Sequence, residues 1–198
     1  MPRNPPNAGA KYNAVAMSLH WLIAALIVTN ILIAWYFNTL NGPTKVPPIQ
    51  LHKSIGITVL ILSVARLAWR FISPPPPLLA SVTGWQRAAA HVTYVLFYVI
   101  MLGLPLSGWA MVSASQLIKV YPITLYGVIP WPTLEPLAQL PHNQMKSAHK
   151  ALLLTHGLLG KLTYGLIVLH VGAALRHLIL LRDDVVARMV PFLRSPST

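Results

Sequence analysis

The 198-residue chain is 55% apolar and only 9% charged, with a mean hydropathy of +0.60 and a formal charge of +12. This composition lies far from that of soluble globular domains and indicates a protein of the lipid bilayer. Cysteine is absent, which excludes disulfides, thiolate-bound iron–sulfur clusters and covalent c-type haem attachment. The basic residues are spread between apolar blocks, so the positive charge does not indicate nucleic-acid binding.

The first two apolar blocks are each long enough to cross a bilayer as a helix. The first, about residues 18–37, carries no formal charge and ends in three aromatic residues, 35–37. Its length and aromatic end favour a retained helix over a removed signal peptide. The second block, about residues 52–72, is stopped by four consecutive prolines at 74–77.

Two further blocks, about residues 88–112 and 152–181, complete a set of four spans. Pro105 in the third block is a predicted kink that helix neighbours can accommodate. Between the third and fourth blocks, about residues 113–151, five prolines prevent a long helix, so this stretch is predicted to be a loop over one membrane face. These elements use nearly the whole length, which predicts a single membrane domain over residues 1–198.

The basic residues of the connections predict the orientation, because positive charge resists export across a membrane. Four spans place both termini on one side, and that side has more basic residues than the other. We therefore expect both termini to be cytoplasmic. The inner set is Arg3, Lys11, Arg66, Arg70, Arg87, Arg176, Arg182, Arg188 and Arg194, and the outer set is Lys45, Lys53, Lys119, Lys146, Lys150 and Lys161.

Five of the eight histidines lie in or at the ends of the apolar blocks: His20, His52, His91, His156 and His170. A polar ring in hydrocarbon is costly, so each is either functional or hydrogen-bonded to a neighbouring helix. His156 and His170 are 14 residues apart, which places them on nearly the same helical face and ~21 Å apart along the axis. One helix therefore offers two axial ligands to the interior of the bundle.

Depth in the membrane suggests how the histidines pair. His52 opens the second span level with His156, and His20 lies early in the first span level with His170. These pairs predict two haems, one near each membrane face, each held by two histidines. The residue one turn after each of the four is small, as a porphyrin lying against a helix requires: Ala24, Gly56, Gly160 and Ala174. Small residues are also common at ordinary membrane helix contacts.

The same segments resemble the bacterial cytochrome b561 family and, more distantly, the cytochrome b subunits of formate dehydrogenase and nickel–iron hydrogenase. The matching motifs are SLHW around His20, LHKSIG around His52, RLAWR from Arg66, GLPLSG near the end of the third block, and HVGAALRH from His170 to His177.

The resemblance covers residues 14–194 and implies an all-α integral membrane four-helix bundle with haems between the helices. In the family, the first-helix histidine pairs with the later fourth-helix histidine, here His20 with His170, and the second-helix histidine with the earlier one, here His52 with His156. It implies two non-covalent b-type haems and a bacterial inner-membrane location. The small stand-alone members include cytochromes that oxidise superoxide outside the cytoplasm and pass the electron to ubiquinone. We therefore expect a superoxide:quinone oxidoreductase or another quinone-linked cytochrome.

Three alternatives stay open at this point. The segment KSAHK around His149 also resembles the family's entry to the fourth helix, which would make His149 the outer ligand in place of His156. The chain could instead be a relay or anchor subunit that docks a periplasmic dehydrogenase or cytochrome. A haem-free transporter would use the same histidines as proton relays.

Three further residues are predicted near the inner haem. Arg66 lies 14 residues after His52 and so shares its face at the depth of the inner haem, where it is expected to pair a propionate, with Arg70 or Arg176 as helpers. A snorkelling arginine at the lipid headgroups is the alternative. His91 and His177 are predicted not to be ligands but to hydrogen-bond a quinone or carry a proton to it.

Overall fold

A computed structural model describes residues 11–77, 84–190 and 192–193. This part of the chain is mostly helical, with one short β-hairpin. The predicted charges at Arg3 and Arg194 lie outside the described residues. The helices are α1 Ala14–Thr39, α2 Val46–Ile72, α3 Gly84–Ser113, the single turn α4 Glu135–Ala138, and α5 His142–Leu175.

The ends of α1 and α2 follow local signals in the sequence. The Asn13 side chain caps α1 by accepting a hydrogen bond from the backbone N–H of Ala16 at 2.8 Å. Prolines stand within the first turn of α2, where a missing N–H has no cost. The helix ends at Ile72, with Ser73 as its C-cap directly before the four prolines at 74–77, because proline disfavours helical conformation in the residue before it.

Helix α5 begins at His142, ten residues before the predicted start at Leu152. Pro141 precedes its first residue, and no proline follows until position 191, so the polar turns after Pro141 continue the helix beyond the apolar block. The predicted loop at 113–151 is correspondingly shorter. It contains a 3₁₀ turn at Gln116–Lys119, a hairpin and α4.

The hairpin consists of β1 Thr124–Leu125 and β2 Ile129–Pro130, paired antiparallel around a turn at Tyr126 and Gly127. Both turn residues have positive φ, 53° and 75°, as the hairpin twist favours. The hydroxyl of Ser54 in α2 donates to the carbonyl of the first residue of β1 (3.1 Å) and accepts from the N–H of Tyr126 (2.9 Å). These two hydrogen bonds hold the hairpin against the first half of α2.

The helices pack in a chain of neighbours: α1 against α2, α2 against α3, and α3 against α5. A small core at Ile23, Ile55, Val59 and Met101 joins the first three helices. Apolar side chains also cover the outside of the bundle, and in α5 Leu169 is 71% exposed. All four long helices have the length and hydropathy of membrane spans. The predicted all-α four-helix membrane bundle is confirmed.

The two ends of the bundle are named by what lies there. The end that holds Tyr12 and the chain after α5 is the terminal end. The opposite end, which holds the hairpin, is the loop end. A π-helical turn at Arg176–Leu181 ends where Arg182 adopts a left-handed conformation (φ 49°). The backbone carbonyl of Arg188 then accepts from the N–H of Tyr12 (3.1 Å), and its buried guanidinium donates to the carbonyl of Pro77 (2.6 Å). The C-terminal segment thereby joins α1 to the end of α2.

Candidate functional site

Two pairs of histidines face each other between α5 and the first two helices. The ring centroids of His52 and His156 are 6.3 Å apart, and we call these the loop-end pair. The ring centroids of His20 and His170 are 6.2 Å apart, and we call these the terminal-end pair. The structure thus brings together the histidines that the sequence paired, and their role as ligands stays a prediction.

The ring separations fit the coordination of one iron by each pair. A metal–imidazole nitrogen bond is ~2.0–2.1 Å and the nitrogen lies ~1.1 Å from the ring centre, so two imidazoles that bind one metal ion would have ring centroids up to ~6.2–6.4 Å apart. Both measured separations agree with this distance. The donor set of two neutral imidazoles is also one that haem iron accepts.

A glycine stands one turn after each histidine of the loop-end pair. Gly56 follows His52 by one turn, and a methyl group there would come no nearer than 3.8 Å to the Asn30 side chain. Gly160 follows His156 by one turn, and a methyl group there would meet no atom of the described residues within 4 Å. Because glycine has no side chain, only backbone lies at these two positions, whereas a larger residue would cover the imidazole.

Hydrogen bonds orient both rings of the loop-end pair. Nδ1 of His52 lies 3.2 Å from the carbonyl oxygen of Asn30. Nδ1 of His156 lies 3.0 Å from the carbonyl oxygen of Leu104 and 3.1 Å from Oγ of Ser107. Because a carbonyl oxygen only accepts, each Nδ1 carries the proton, and each Nε2 keeps its lone pair for a metal.

The terminal-end pair has a different neighbour, the half-buried Arg66. One of its terminal nitrogens, Nη1, lies 2.9 Å from Nδ1 of His20. A guanidinium only donates, so Nδ1 of His20 accepts in this contact and its proton is on Nε2. Iron ligation through Nε2 requires the opposite tautomer, so Arg66 would have to leave Nδ1 of His20 when an iron binds there. On the other side, Phe97 packs edge-on against His170 with ring centroids 5.0 Å apart.

The remaining candidate histidines make other contacts. His149 is the alternative to His156 as the outer ligand. It lies seven residues before His156, and its Nδ1 is 2.9 Å from the carbonyl oxygen of Met111. His91 is exposed and its Nδ1 contacts the carbonyl of Arg87 at 3.1 Å within α3. In His177, Nδ1 is 2.6 Å from a carboxylate oxygen of Asp183.

Sequence reasoning did not find the groups that hold the loop-end histidines. Two of them are the backbone carbonyls of Asn30 and Leu104. Any residue type can supply a backbone carbonyl, so the sequence gives no signal for them. Ser107 and Gly108 belong to the GLPLSG segment noted above only as a family motif. Pro105 does not signal them, because a proline inside a helix frees the carbonyl four residues before it, that of Met101, and not that of Leu104.

Four apolar helices that carry two histidine pairs at iron-ligand spacing are the features of a membrane-embedded b-type cytochrome. The chain belongs to the prokaryotic cytochrome b561 family, whose sequence model matches residues 11–192.

Curated relatives match over nearly their whole length. "Probable superoxide oxidase CybB" of Yersinia pestis is 29% identical over 185 residues, 91% of this chain and 96% of that protein. "Cytochrome b561 homolog 2" of Escherichia coli (strain K12) is 29% identical over 187 residues, 93% of each chain. "Cytochrome b561 homolog 1" of the same organism is 27% identical over 191 residues. Membership makes this chain a bacterial membrane protein of electron transfer and implies b-type haem binding.

Proposed function

We propose that this chain, as a single membrane domain, holds two b-type haems and carries electrons from superoxide on the outer side of the bacterial inner membrane to a quinone. The loop-end haem would be held by His52 and His156 and the terminal-end haem by His20 and His170. The observation that carries the proposal is the spacing of both ring pairs, 6.3 and 6.2 Å, which suits one iron in each. The superoxide oxidase name of a relative supports the choice of donor.

Bound haem supplies one-electron transfer, and two histidine ligands leave no open position for oxygen chemistry at the iron. The protein's own residues then set position and access. His156 and His170 are 14 residues apart on one helix, so α5 fixes a separation of ~21 Å between the two ligand levels. The carbonyls of Asn30 and Leu104 hold the loop-end rings in the ligating tautomer. The terminal end is taken as cytoplasmic on the charge distribution.

Purification and ultraviolet–visible spectroscopy test the haem part of the proposal directly. Reduced b-type bands with two haems per chain are expected; absence of these bands would overturn it and favour a haem-free transporter. Activity is then followed with a superoxide generator and a soluble ubiquinone analogue. Two superoxide anions lose one electron each to give two dioxygen molecules, and the quinone takes up two electrons and two protons. A chain that reduces no quinone but copurifies with a stoichiometric dehydrogenase would instead be a relay subunit.

The superoxide rate should fall as ionic strength rises. The loop end carries Lys45, Lys53, Lys119, Lys146 and Lys150 against one acid, Glu135. Such a field concentrates a small anion and is screened over ~8–10 Å at 0.1–0.15 M salt. The check is the initial rate between low and moderate salt, with a neutral artificial donor as the control. Equal salt dependence for the neutral donor would remove the steering argument.

Replacing Arg66 with leucine should lower the midpoint potential of the terminal-end haem. A cation beside the iron or its propionate favours the reduced state, and Arg66 already lies 2.9 Å from the His20 ring. One charge at such a half-exposed site changes the free energy of reduction by roughly 1 kcal/mol, a shift of about 40 mV. Arg66→Lys is the charge-retaining control. An unchanged potential in Arg66→Leu would leave the arginine as a headgroup contact. Arg70, whose guanidinium carbon lies 3.9 Å above the Tyr94 ring, and Arg176 are the proposed helpers.

Changing His177 to alanine should slow quinone reduction by roughly 10²-fold while both haems remain, since acid–base residues contribute about that much. His177 lies seven residues after His170, in the π-helical turn, and Asp183 fixes its ring. His91→Ala is tested in parallel, because the sequence assigns it the same role. Both variants are measured with an artificial donor. If the spectra and quinone kinetics of both match the parent, the two histidines are structural.

A further inference from the structure

One turn of α3, Leu104 to Gly108, surrounds the ring of His156 on its Nδ1 side. The Nδ1–H is shared between the carbonyl oxygen of Leu104 at 3.0 Å and Oγ of Ser107 at 3.1 Å. The Ser107 hydroxyl donates in turn to the same Leu104 carbonyl at 2.8 Å, which fixes its own orientation. Ser107 is 8% exposed, so water competes little for these bonds.

The same turn is shaped to let the ring approach the backbone. A methyl group at Gly108 would lie 3.0 Å from Cε1 and 3.2 Å from Nδ1 of His156, closer than side chains normally pack. Any larger residue at this position would therefore push the ring away from Leu104 and Ser107. By contrast, a methyl group at Gly103, in the same helix, would make only an ordinary 3.8 Å contact with Leu159.

The two histidine pairs differ in the charge of the groups beside their rings: acceptors with partial negative charge in one pair and a cation in the other. In the loop-end pair both rings face acceptors: the Asn30 carbonyl for His52, and the Leu104 carbonyl with Ser107 for His156. Beside the terminal-end pair stands the guanidinium of Arg66, which is a cation whichever nitrogen of His20 carries the proton. Acceptors on Nδ1–H make an imidazole a stronger electron donor to its metal and so favour the oxidised iron. A nearby cation favours the reduced iron.

We propose that the turn Leu104–Gly108 is a positioning element that holds His156 as an electron-rich ligand and makes the loop-end haem the lower in potential of the two. Electrons then move downhill from the His52–His156 level to the His20–His170 level. Ser107 and Gly108 act through His156 and need not touch haem or substrate. The inference rests on the proposed haem ligands and adds the direction of electron transfer between the two haems.

The test is an optical redox titration of the purified, haem-loaded protein, with each wave assigned through variants that lack one histidine pair. In the parent, the loop-end haem should reduce after the terminal-end haem. Ser107→Ala removes one of the two acceptors and should raise the loop-end potential alone, with haem content unchanged; Ser107→Thr, which keeps the hydroxyl, should restore it. Ser63→Ala is the matched control, because this hydroxyl is also buried and hydrogen-bonds to no histidine among the described residues.

A second comparison tests the close approach. Gly108→Ala should lose loop-end haem or broaden its spectrum, whereas Gly103→Ala should keep both haems and both potentials. A loop-end potential above that of the terminal-end haem, or a Ser107→Ala titration identical to the parent, would overturn the inference while two haems per chain still upheld the proposed function. A protein without b-type bands would overturn the proposed function itself.

Discussion

A His156→Ala variant should purify with one haem per chain in place of two, and the remaining haem should be that of the terminal end. The reason is that the two histidine pairs stand at different levels of α5, ~21 Å apart, and the partner of His156 is His52. His52→Ala should therefore give the same spectrum. The measurement is the haem-to-protein ratio by pyridine haemochrome, combined with a redox titration that shows one wave.

His149→Ala is the matched control for this prediction. His149 is seven residues from His156 on the same helix, and its Nδ1 contacts the carbonyl of Met111. It should keep two haems. Full haem content in His156→Ala, together with loss in His149→Ala, would transfer the loop-end ligand to His149. Loss of both haems from every single variant would mean that the two haems stabilise one another, and would leave the pairing to be decided by spectroscopy of the double variants.

A His170→Ala variant should accept electrons from superoxide but fail to pass them to quinone. The loop-end pair is intact in this variant, so its haem should be reduced once per chain and then stay reduced. The terminal-end haem, which we place on the path to quinone, should be absent. Stopped-flow absorbance would show a single reduction event, and the steady-state rate of quinone reduction should fall to background.

The informative control is His20→Ala, which removes the opposite ligand of the same pair. Both variants should behave alike, because one remaining histidine should not retain the terminal-end haem. Quinone reduction at the parent rate in His170→Ala would contradict the proposed path and place the quinone site beside the loop-end haem. His177 would then lose its proposed role as well, since it lies beyond His170 toward the terminal end.

Direction of electron flow connects these predictions. In the proposed function, superoxide would give up its electron at the loop end, where the basic residues are lysines, and quinone would be reduced at the terminal end. A lower potential at the loop-end haem would make that direction downhill. The difference would arise from a few contacts: carbonyl acceptors behind His52 and His156, and a guanidinium beside His20. The helices would set the distance between the proposed haems, and the groups behind the rings would set the difference in potential between them.

The four spans and the histidine levels could be predicted from sequence because both depend on local regularity. A run of ~20 apolar residues must form its own backbone bonds in lipid, so it becomes a helix whatever its neighbours do. On a regular helix the spacing from His156 to His170 then fixes their common face. The start of α5 at His142 was missed because its first turns are polar, and apolar pattern gives no signal there.

Only the tertiary structure decided what stands behind each ring. The Leu104 carbonyl reaches His156 because α3 packs against α5, with Gly108 allowing the close approach. Likewise, Arg66 meets His20, 46 residues away, because α1 and α2 run antiparallel. Any residue can supply a backbone carbonyl, so residue types do not mark it. A contact between two helices also produces no periodic pattern in the sequence of either helix. The sequence by itself therefore determined the helices and the levels of the candidate ligands, while packing between helices determined the tautomers and charges around them.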